Sequence, residues 1–142
     1  EERMKLINEF IEQGNTGSNI KFHGKLAAPD LCKLFHVCDF YVCSSEWESF
    51  GVSVLEALFT GLPVLSTDCG GVQEFMRPDN GLLISNDRTE VTLLNGLLEM
   101  TAKINTFDRK SISTTTTDLF SGQRIIEDFH SIYKQAEQAY KS

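Results

Sequence analysis

The chain has 142 residues, of which 41% are hydrophobic and 23% are charged, and this size and composition are typical of one globular domain. The formal net charge is −7, and the longest basic cluster is the pair Arg109 and Lys110, which argues against a nucleic-acid-binding protein. No apolar run is long enough to cross a membrane, and the four cysteines lack the spacing of a zinc site. We therefore expect a cytoplasmic protein.

Apolar residues in the chain predict helices that alternate with short strands. A first helix has its apolar face at Met4, Ile7, Phe10 and Ile11. The predicted strands are residues 20–22, 40–43, 63–66 and 82–84, and the predicted helices are residues 29–37, 51–60, 70–76 and 90–102. Residues 111–117 are poor in helix formers, which predicts a loop or a weak helix, and a last helix with an apolar stripe begins at residue 122.

The predicted strands are continuous apolar runs, and helical stretches of about ten residues separate them. This combination predicts the α/β class, with a doubly wound, Rossmann-like parallel sheet that helices cover on both faces. Residues 1–142 would form a single domain. Because such sheets usually have about five or six strands, we expect the first strands to be missing and the chain to be part of a longer protein.

Two acidic residues flank the start of the predicted helix 51–60. Glu56 is the one charged residue of a helix that we expect to be largely buried, so its carboxylate needs hydrogen-bond donors such as two vicinal sugar hydroxyls. Glu48 lies in the loop before the helix, beyond the carboxyl end of a strand, where open parallel sheets bind ligands. We expect both carboxylates to face one crevice.

The start of the same helix offers backbone donors. The amides of Phe50, Gly51 and Val52 would lack helical acceptors and could bind a phosphate, and Gly51 would let a ligand approach the backbone. Two carboxylates beside an amide cluster suit a sugar that a diphosphate joins to a ribose. Helix capping explains the spacing equally well, because Ser45 with Glu48 and Ser53 with Glu56 both match the capping-box pattern.

The ordered motifs of the chain resemble those of a known family. Glu48-Ser49-Phe50-Gly51, followed by Glu56, is similar to the E-x7-E motif of the retaining GT-B glycosyltransferases of group 1. Further family-like segments follow the same order along the chain: residues 22–24 (FHG), 61–64 (GLPV), 68–74 (DCGGVQE), 80–83 (NGLL) and 120–121 (FS). The resemblance implies the C-terminal, donor-binding half of a GT-B fold, truncated so that it lacks its first strands and the N-terminal acceptor domain.

The resemblance also implies roles for individual residues. Glu48 would be the catalytic-site carboxylate that accepts hydrogen bonds from the donor sugar, and the backbone of Ser49, Phe50 and Gly51 would contact the sugar and the diphosphate. Glu56 would hold the ribose. The backbone near Lys25 and Leu26, with the side chain of Leu31, would frame the base. The chain has no D-x-D motif, so the resemblance implies no metal and no other cofactor.

The implied activity belongs to the full-length protein. It would be a hexosyltransferase that moves a sugar from a nucleotide-sugar to a sugar or glycolipid acceptor, in polysaccharide or glycolipid synthesis, with peripheral membrane association. The fragment alone would be inactive, since the acceptor domain and the family's diphosphate-binding Arg and Lys precede it. The alternatives are an epimerase-like GT-B enzyme and a non-catalytic module that binds a nucleotide-sugar or docks on a partner.

Overall fold

The computed structural model describes residues 20–141. In chain order the elements are α1 (Ala28–Val37), β1 (Tyr41–Cys43), α2 (Val52–Phe59), β2 (Val64–Thr67), β3 (Gly81–Ile84), α3 (Glu90–Lys103), α4 (Arg109–Phe120) and α5 (Gly122–Lys141). Two short 3-10 helices span Gly71–Glu74 and Ile104–Thr106. The predicted first helix, with Met4 and Phe10, lies outside the described residues.

The three strands form one parallel sheet in the order β1-β2-β3. The central strand β2 is fully buried at Val64 and Leu65. Val64 belongs to the core cluster that contains the buried face of α2, whereas the side chain of Leu65 packs against Gly96 of α3. Because neighbouring strand residues point to opposite faces, α2 and α3 cover opposite faces of the sheet. The structure therefore confirms the predicted α/β class with a parallel sheet.

The main core lies between the sheet and α2. Val54, Ala57 and Leu58 of α2 are completely buried, and Phe75, after the 3-10 helix Gly71–Glu74, packs with them. Burying one large apolar side chain contributes about 1.5–3 kcal/mol, so this cluster holds α2 firmly over the sheet. The loops at the carboxyl ends of β1 and β2 consequently start from fixed positions.

Residues 20–22 do not form the predicted strand. Ile20 and Phe22 are 43% and 46% exposed, and this segment pairs with no strand in the described part of the chain. A strand needs a neighbour for its backbone N–H and C=O groups. An apolar run can indicate a strand but cannot supply that neighbour, so the prediction was wrong.

Residues 111–117 lie inside the helix α4, so the loop reading was wrong and the helix reading is confirmed. The carboxylate of Asp108 caps the helix by accepting hydrogen bonds from the amides of Lys110 and Ser111. Ile112 is buried, and the hydroxyl of Thr116 donates to the carbonyl oxygen of Ile112 over 2.7 Å. Capping and burial outweigh the low helix propensity of this segment.

The last helix, α5, has the predicted apolar stripe, and none of its residues is buried. The exposed side chains of the stripe are Ile125, Ile126, Phe129, Ile132 and Tyr133. Among the described residues no helix is both long enough and apolar enough to span a membrane.

Candidate functional site

The loop between β1 and α2 is joined to the loop that follows β2. The amide of Glu48 donates to the carbonyl oxygen of Cys69 over 2.7 Å, and the amide of Gly71 donates to the carbonyl oxygen of Glu48 over 3.0 Å. These two bonds form a short parallel bridge between Glu48 and Gly70. The backbone of Glu48 is therefore fixed at the carboxyl edge of the sheet, where ligands of open parallel sheets bind.

The glycine pair after β2 allows this close approach. Gly70 has a φ of 107°, and a Cβ on it would lie 2.9 Å from the carbonyl oxygen of Glu48. A Cβ on Gly71 would lie 2.4 Å from the carbonyl oxygen of Ser49 and 2.5 Å from the Cα of Phe50. Real Cβ atoms do not come so close to backbone, so a side chain at either position would push the two loops apart.

One of the two carboxylate oxygens of Glu48 has a hydrogen-bond partner in the protein. Its Oε1 accepts a hydrogen bond from the hydroxyl of Ser45 over 2.8 Å, whereas its Oε2 has no partner within residues 20–141. Glu48 lines an open cavity of about 690 Å³ together with Tyr41, Ser53 and Trp47, whose side chain is 76% exposed. One carboxylate oxygen is thus available to accept a hydrogen bond from a ligand hydroxyl.

Neither of the predicted capping boxes exists. Helix α2 begins at Val52, and its N-cap residue is Gly51, which has no side chain to cap the helix. Ser45 and Glu48 precede the helix start, and their side chains bond to each other. The hydroxyl of Ser53 instead accepts a hydrogen bond from Tyr41. Helix capping therefore does not account for the spacing of the two acidic residues.

The start of α2 has free backbone donors, as predicted. The amides of Phe50, Gly51 and Val52 donate to no acceptor in the described part of the chain. Gly51 also has a structural reason of its own, and its role in letting a ligand approach the backbone stays a prediction. Gly51 is buried with a φ of 83°, and a Cβ there would lie 2.6 Å from Cγ1 of Val72. Packing and a left-handed backbone explain this glycine without a ligand.

Glu56 lies on the uncovered face of α2. The predicted burial of its carboxylate was wrong, because the helix buries its other side and leaves Glu56 and Val52 exposed. Glu56 lines a second cavity, of about 220 Å³, together with Leu31 and Phe35. The structure therefore brings Leu31 and Glu56 to one cavity. The other residues predicted near the base, Lys25 and Leu26, precede α1 and do not line it.

Tyr41 is close to both carboxylates. Its ring lines the Glu48 cavity and packs edge-on, at a centroid distance of 5.6 Å, against Phe35 of the Glu56 cavity. Burial raises the pKa of the Tyr41 hydroxyl, and the nearby charges of Glu48 and Glu56 raise it further. Both carboxylates are thus close to one hydroxyl, but they line two neighbouring cavities and not the single crevice that we expected.

Three polar residues of this region escaped the sequence analysis. The hydroxyl of Thr67 donates to the carbonyl oxygen of Ser45 over 2.6 Å, and the side-chain amide of Asn86 donates to the carbonyl oxygen of Glu46 over 2.8 Å. Tyr41 is the third. The available signal was that Thr67 ends β2 and Asn86 closely follows β3, so that both side chains arrive at the same edge of the sheet.

The described residues contain no group of three or more His, Cys, Asp or Glu side chains arranged to hold a metal ion.

Comparison with known proteins identifies the family. The sequence profile of the family described as "Glycosyl transferases group 1" matches residues 1–103, which is most of the chain. The chain belongs to the group 1 glycosyltransferase family. The resemblance of its motifs to that family is thereby confirmed, as is the similarity to the C-terminal part of GT-B glycosyltransferases.

Individual proteins are similar to the chain as well. The lipopolysaccharide core biosynthesis mannosyltransferase LpsB of Rhizobium meliloti is 38% identical over 85 residues, which cover 57% of this chain and 23% of LpsB. The solved sucrose-phosphate synthase of Thermosynechococcus elongatus has the same fold, with a TM-score of 0.79 at 24% identity, over 95% of this chain and 34% of its own.

A third relative was solved with a ligand. The structure of Anabaena HepE in complex with UDP matches with a TM-score of 0.70 at 26% identity, over 90% of this chain and 36% of HepE. The chain thus spans about a quarter to a third of the length of these three proteins.

Proposed function

We propose that this domain binds a nucleotide-sugar donor, and that the full-length protein transfers the sugar to an acceptor with retention of the anomeric configuration. The observation that carries the proposal is the free Oε2 of Glu48 in an open cavity, on the loop that leads directly to the unpaired amides at the start of α2. Membership of the group 1 family supports it, and so does the UDP that occupies the related HepE.

Each part of the donor then has a partner of suitable chemistry. The sugar hydroxyls donate to Oε2 of Glu48, and the diphosphate accepts from the backbone amides of Ser49, Phe50 and Gly51. The ribose hydroxyls donate to Glu56, whose carboxylate has no hydrogen-bond or ion-pair partner in the described residues. The base occupies the remaining space of the Glu56 cavity beside Leu31 and extends from it toward the backbone near Lys25 and Leu26, which lie outside the cavity.

The arrangement favours departure of the nucleotide diphosphate. Negative charge develops on the diphosphate as the bond to the sugar breaks, and the amides at the start of α2 are fixed in position before the reaction begins. The positive end of the helix dipole acts in the same direction. Glu48 holds the sugar in place, so that an acceptor can approach it from the rest of the full-length protein.

Calorimetry with the full-length protein and a series of UDP-, GDP- and ADP-sugars tests donor binding. We expect one nucleotide class to bind, and Glu56→Ala to weaken its binding by about 1–3 kcal/mol, because the ribose hydroxyls lose their acceptor. Glu127→Ala, which removes an exposed carboxylate from α5, is the matched control. Unchanged affinity in the Glu56 variant would contradict the ribose role.

A transfer assay tests the role of Glu48. We expect Glu48→Gln to lower kcat/KM while the midpoint of thermal unfolding stays within about 1–2 °C, since the carboxylate is held at a cavity and not in the core. A variant that unfolds instead would show that Glu48 is needed for the loop structure. An inverted anomeric centre in the product, seen by NMR, would rule out retention.

One observation favours a second candidate function. The apolar stripe of α5 is exposed along its length, which suits a module that docks on another surface and only binds the nucleotide-sugar. A full-length protein that binds a donor but releases no nucleotide with any sugar acceptor supports this alternative. Nucleotide release coupled to a new glycosidic bond supports the transferase.

A further inference from the structure

The loop that carries Glu48 is held from two sides by the next two strands. Thr67 at the end of β2 bonds to the carbonyl oxygen of Ser45, and Asn86 after β3 bonds to the carbonyl oxygen of Glu46. These anchors are 22 and 40 residues away from the loop in sequence. Because they act on consecutive residues, they fix the position of the loop immediately before Glu48.

The hydroxyl of Ser45 links the anchored loop to the carboxylate of Glu48. The buried thiol of Cys43 donates to Ser45 Oγ over 3.6 Å, which leaves the Ser45 proton directed at Oε1 of Glu48, 2.8 Å away. Oε1 is thereby occupied and Oε2 is left for a ligand. The backbone of Glu48 is tied separately to the loop after β2, so the Ser45 hydroxyl acts on the orientation of the carboxylate.

We propose that Ser45 is a positioning residue for Glu48, and that Thr67 and Asn86 position Ser45 from the ends of the neighbouring strands. The proposal rests on the proposed function, in which Glu48 contacts the donor sugar. Ser45 acts on the donor through Glu48, because its proton is directed at Oε1. Its hydrogen bond restricts the Glu48 carboxylate to few orientations before the sugar binds, so less conformational entropy is lost on binding. The two anchors keep Ser45 within hydrogen-bond distance of Glu48.

A double-mutant cycle in the full-length protein tests whether Ser45 acts through Glu48. We expect Ser45→Ala to lower kcat/KM about tenfold in the wild-type background, the loss typical of a hydrogen bond to a charged group. In the Glu48→Ala background the same change should lower kcat/KM less than about twofold, because no carboxylate remains to be oriented. Equal losses in the two backgrounds would overturn the proposal.

Restoring the hydroxyl gives an independent readout. Ser45→Thr retains a donor at the same position, so we expect it to recover most of the kcat/KM that Ser45→Ala loses. Thermal unfolding of each variant should give similar midpoints. If Ser45→Ala and Ser45→Thr are equally impaired, the space around Ser45 matters and its hydroxyl does not, which would contradict positioning.

The two anchors have matched controls on other parts of the chain. Asn86→Asp puts an oxygen opposite the carbonyl of Glu46, and Asn95→Asp makes the same change on the exposed side of α3. We expect only the Asn86 variant to lower kcat/KM, by about fivefold, and the loss to disappear in the Glu48→Ala background. We likewise expect Thr67→Val to lower kcat/KM, and the loss to disappear in the Glu48→Ala background. Its control, Thr115→Val on α4, should leave kcat/KM unchanged.

The outcome for Glu48 separates this proposal from the one on which it rests. If Glu48→Ala keeps wild-type kcat/KM, Glu48 does not contact the donor, and both proposals fail. If Glu48→Ala is impaired while Ser45→Ala, Thr67→Val and Asn86→Asp are as active as the wild type, donor binding at Glu48 stands and positioning by these residues is refuted.

Discussion

The hydroxyl of Tyr41 donates a hydrogen bond to Ser53 Oγ over 3.1 Å and thereby joins the first strand to the helix α2. Ser53 lines the Glu48 cavity, and it lies three residues before Glu56, which places the two on the same side of α2. Tyr41 and Ser53 both line the cavity of Glu48, and neither lines that of Glu56. In the proposed function, this hydrogen-bonded pair therefore belongs to the sugar end of the donor site.

Removing the Tyr41 hydroxyl should lower the stability of the protein modestly. Tyr41→Phe keeps the ring and its packing against Phe35 but leaves Ser53 without its donor, so we expect a loss of about 0.5–1.5 kcal/mol in the free energy of unfolding. Urea unfolding measures it. Tyr133→Phe on α5, where the side chain is 69% exposed, should change the stability by less than about 0.5 kcal/mol. Equal effects of the two changes would show that the Tyr41 bond contributes nothing.

A methyl group on Gly71 should disturb the site through the backbone of the neighbouring loop. Gly71→Ala places a Cβ against Ser49 and Phe50, so the loop has to move away, and we expect donor affinity to fall about tenfold. Calorimetry with the preferred nucleotide-sugar measures this change. Gly122→Ala is the control, because a Cβ on Gly122 meets nothing within 4 Å. Wild-type affinity in the Gly71 variant would mean that the contact between the loops is dispensable.

Most of the sheet and its helices could be predicted from the sequence, because each is a local pattern. The apolar runs at residues 40–43, 63–66 and 82–84 lie within one residue of β1, β2 and β3. The one error, at residues 20–22, and the alternative left open at residues 111–117 concern interactions that a local pattern does not contain. Residues 20–22 have the composition of a strand but no strand to pair with among the described residues, and α4 is stabilised by the Asp108 cap and the buried Ile112.

The candidate site was predictable to a similar degree. The spacing of Glu48 and Glu56 identified the loop and the helix, since both residues belong to one short segment. Their surroundings were not predictable, because Asn86 reaches the loop from 40 residues away. The exposure of Glu56 was also missed, since the apolar residues of α2 suggested burial all round while the structure covers only one side of the helix.

The stability of the α3 start should depend on pH through Asp87. Hydrogen bonds from the amide of Thr89, then from the hydroxyls of Thr92 and Thr89, hold the pKa of the Asp87 carboxyl below its usual value. A lowered pKa in the folded state contributes stability that is complete above the unfolded pKa, about 3.9, and is lost as the pH falls through the folded value.

We therefore expect Asp87→Asn to be less stable than the wild type at pH 7, and the difference to shrink as the pH falls below about 4. Urea unfolding at several pH values measures the difference. Asp79→Asn, an exposed carboxylate that accepts no hydrogen bond from the described residues, is the control. A difference between Asp87→Asn and the wild type that is constant across the pH range would contradict the prediction.

Arg109 should be needed for the attachment of α4 but not for donor binding. Its Nη1 donates to the carbonyl oxygen of Cys38 over 2.9 Å and its Nη2 to that of Phe35 over 3.0 Å, so one guanidinium satisfies two carbonyls at the end of α1. A lysine cannot reproduce this fork, and we expect Arg109→Lys to lower the free energy of unfolding by about 1–3 kcal/mol.

The matched control is the exposed neighbour Lys110, for which Lys110→Arg should change stability by less than about 0.5 kcal/mol. Donor affinity should stay at the wild-type level in both variants, because neither residue lines the cavities of Glu48 and Glu56. If Arg109→Lys remains folded but binds the donor more weakly than the wild type, the position of α4 affects the donor site. Helix α2 would carry this effect, because Gly61, just after α2, packs directly on the backbone of Arg109.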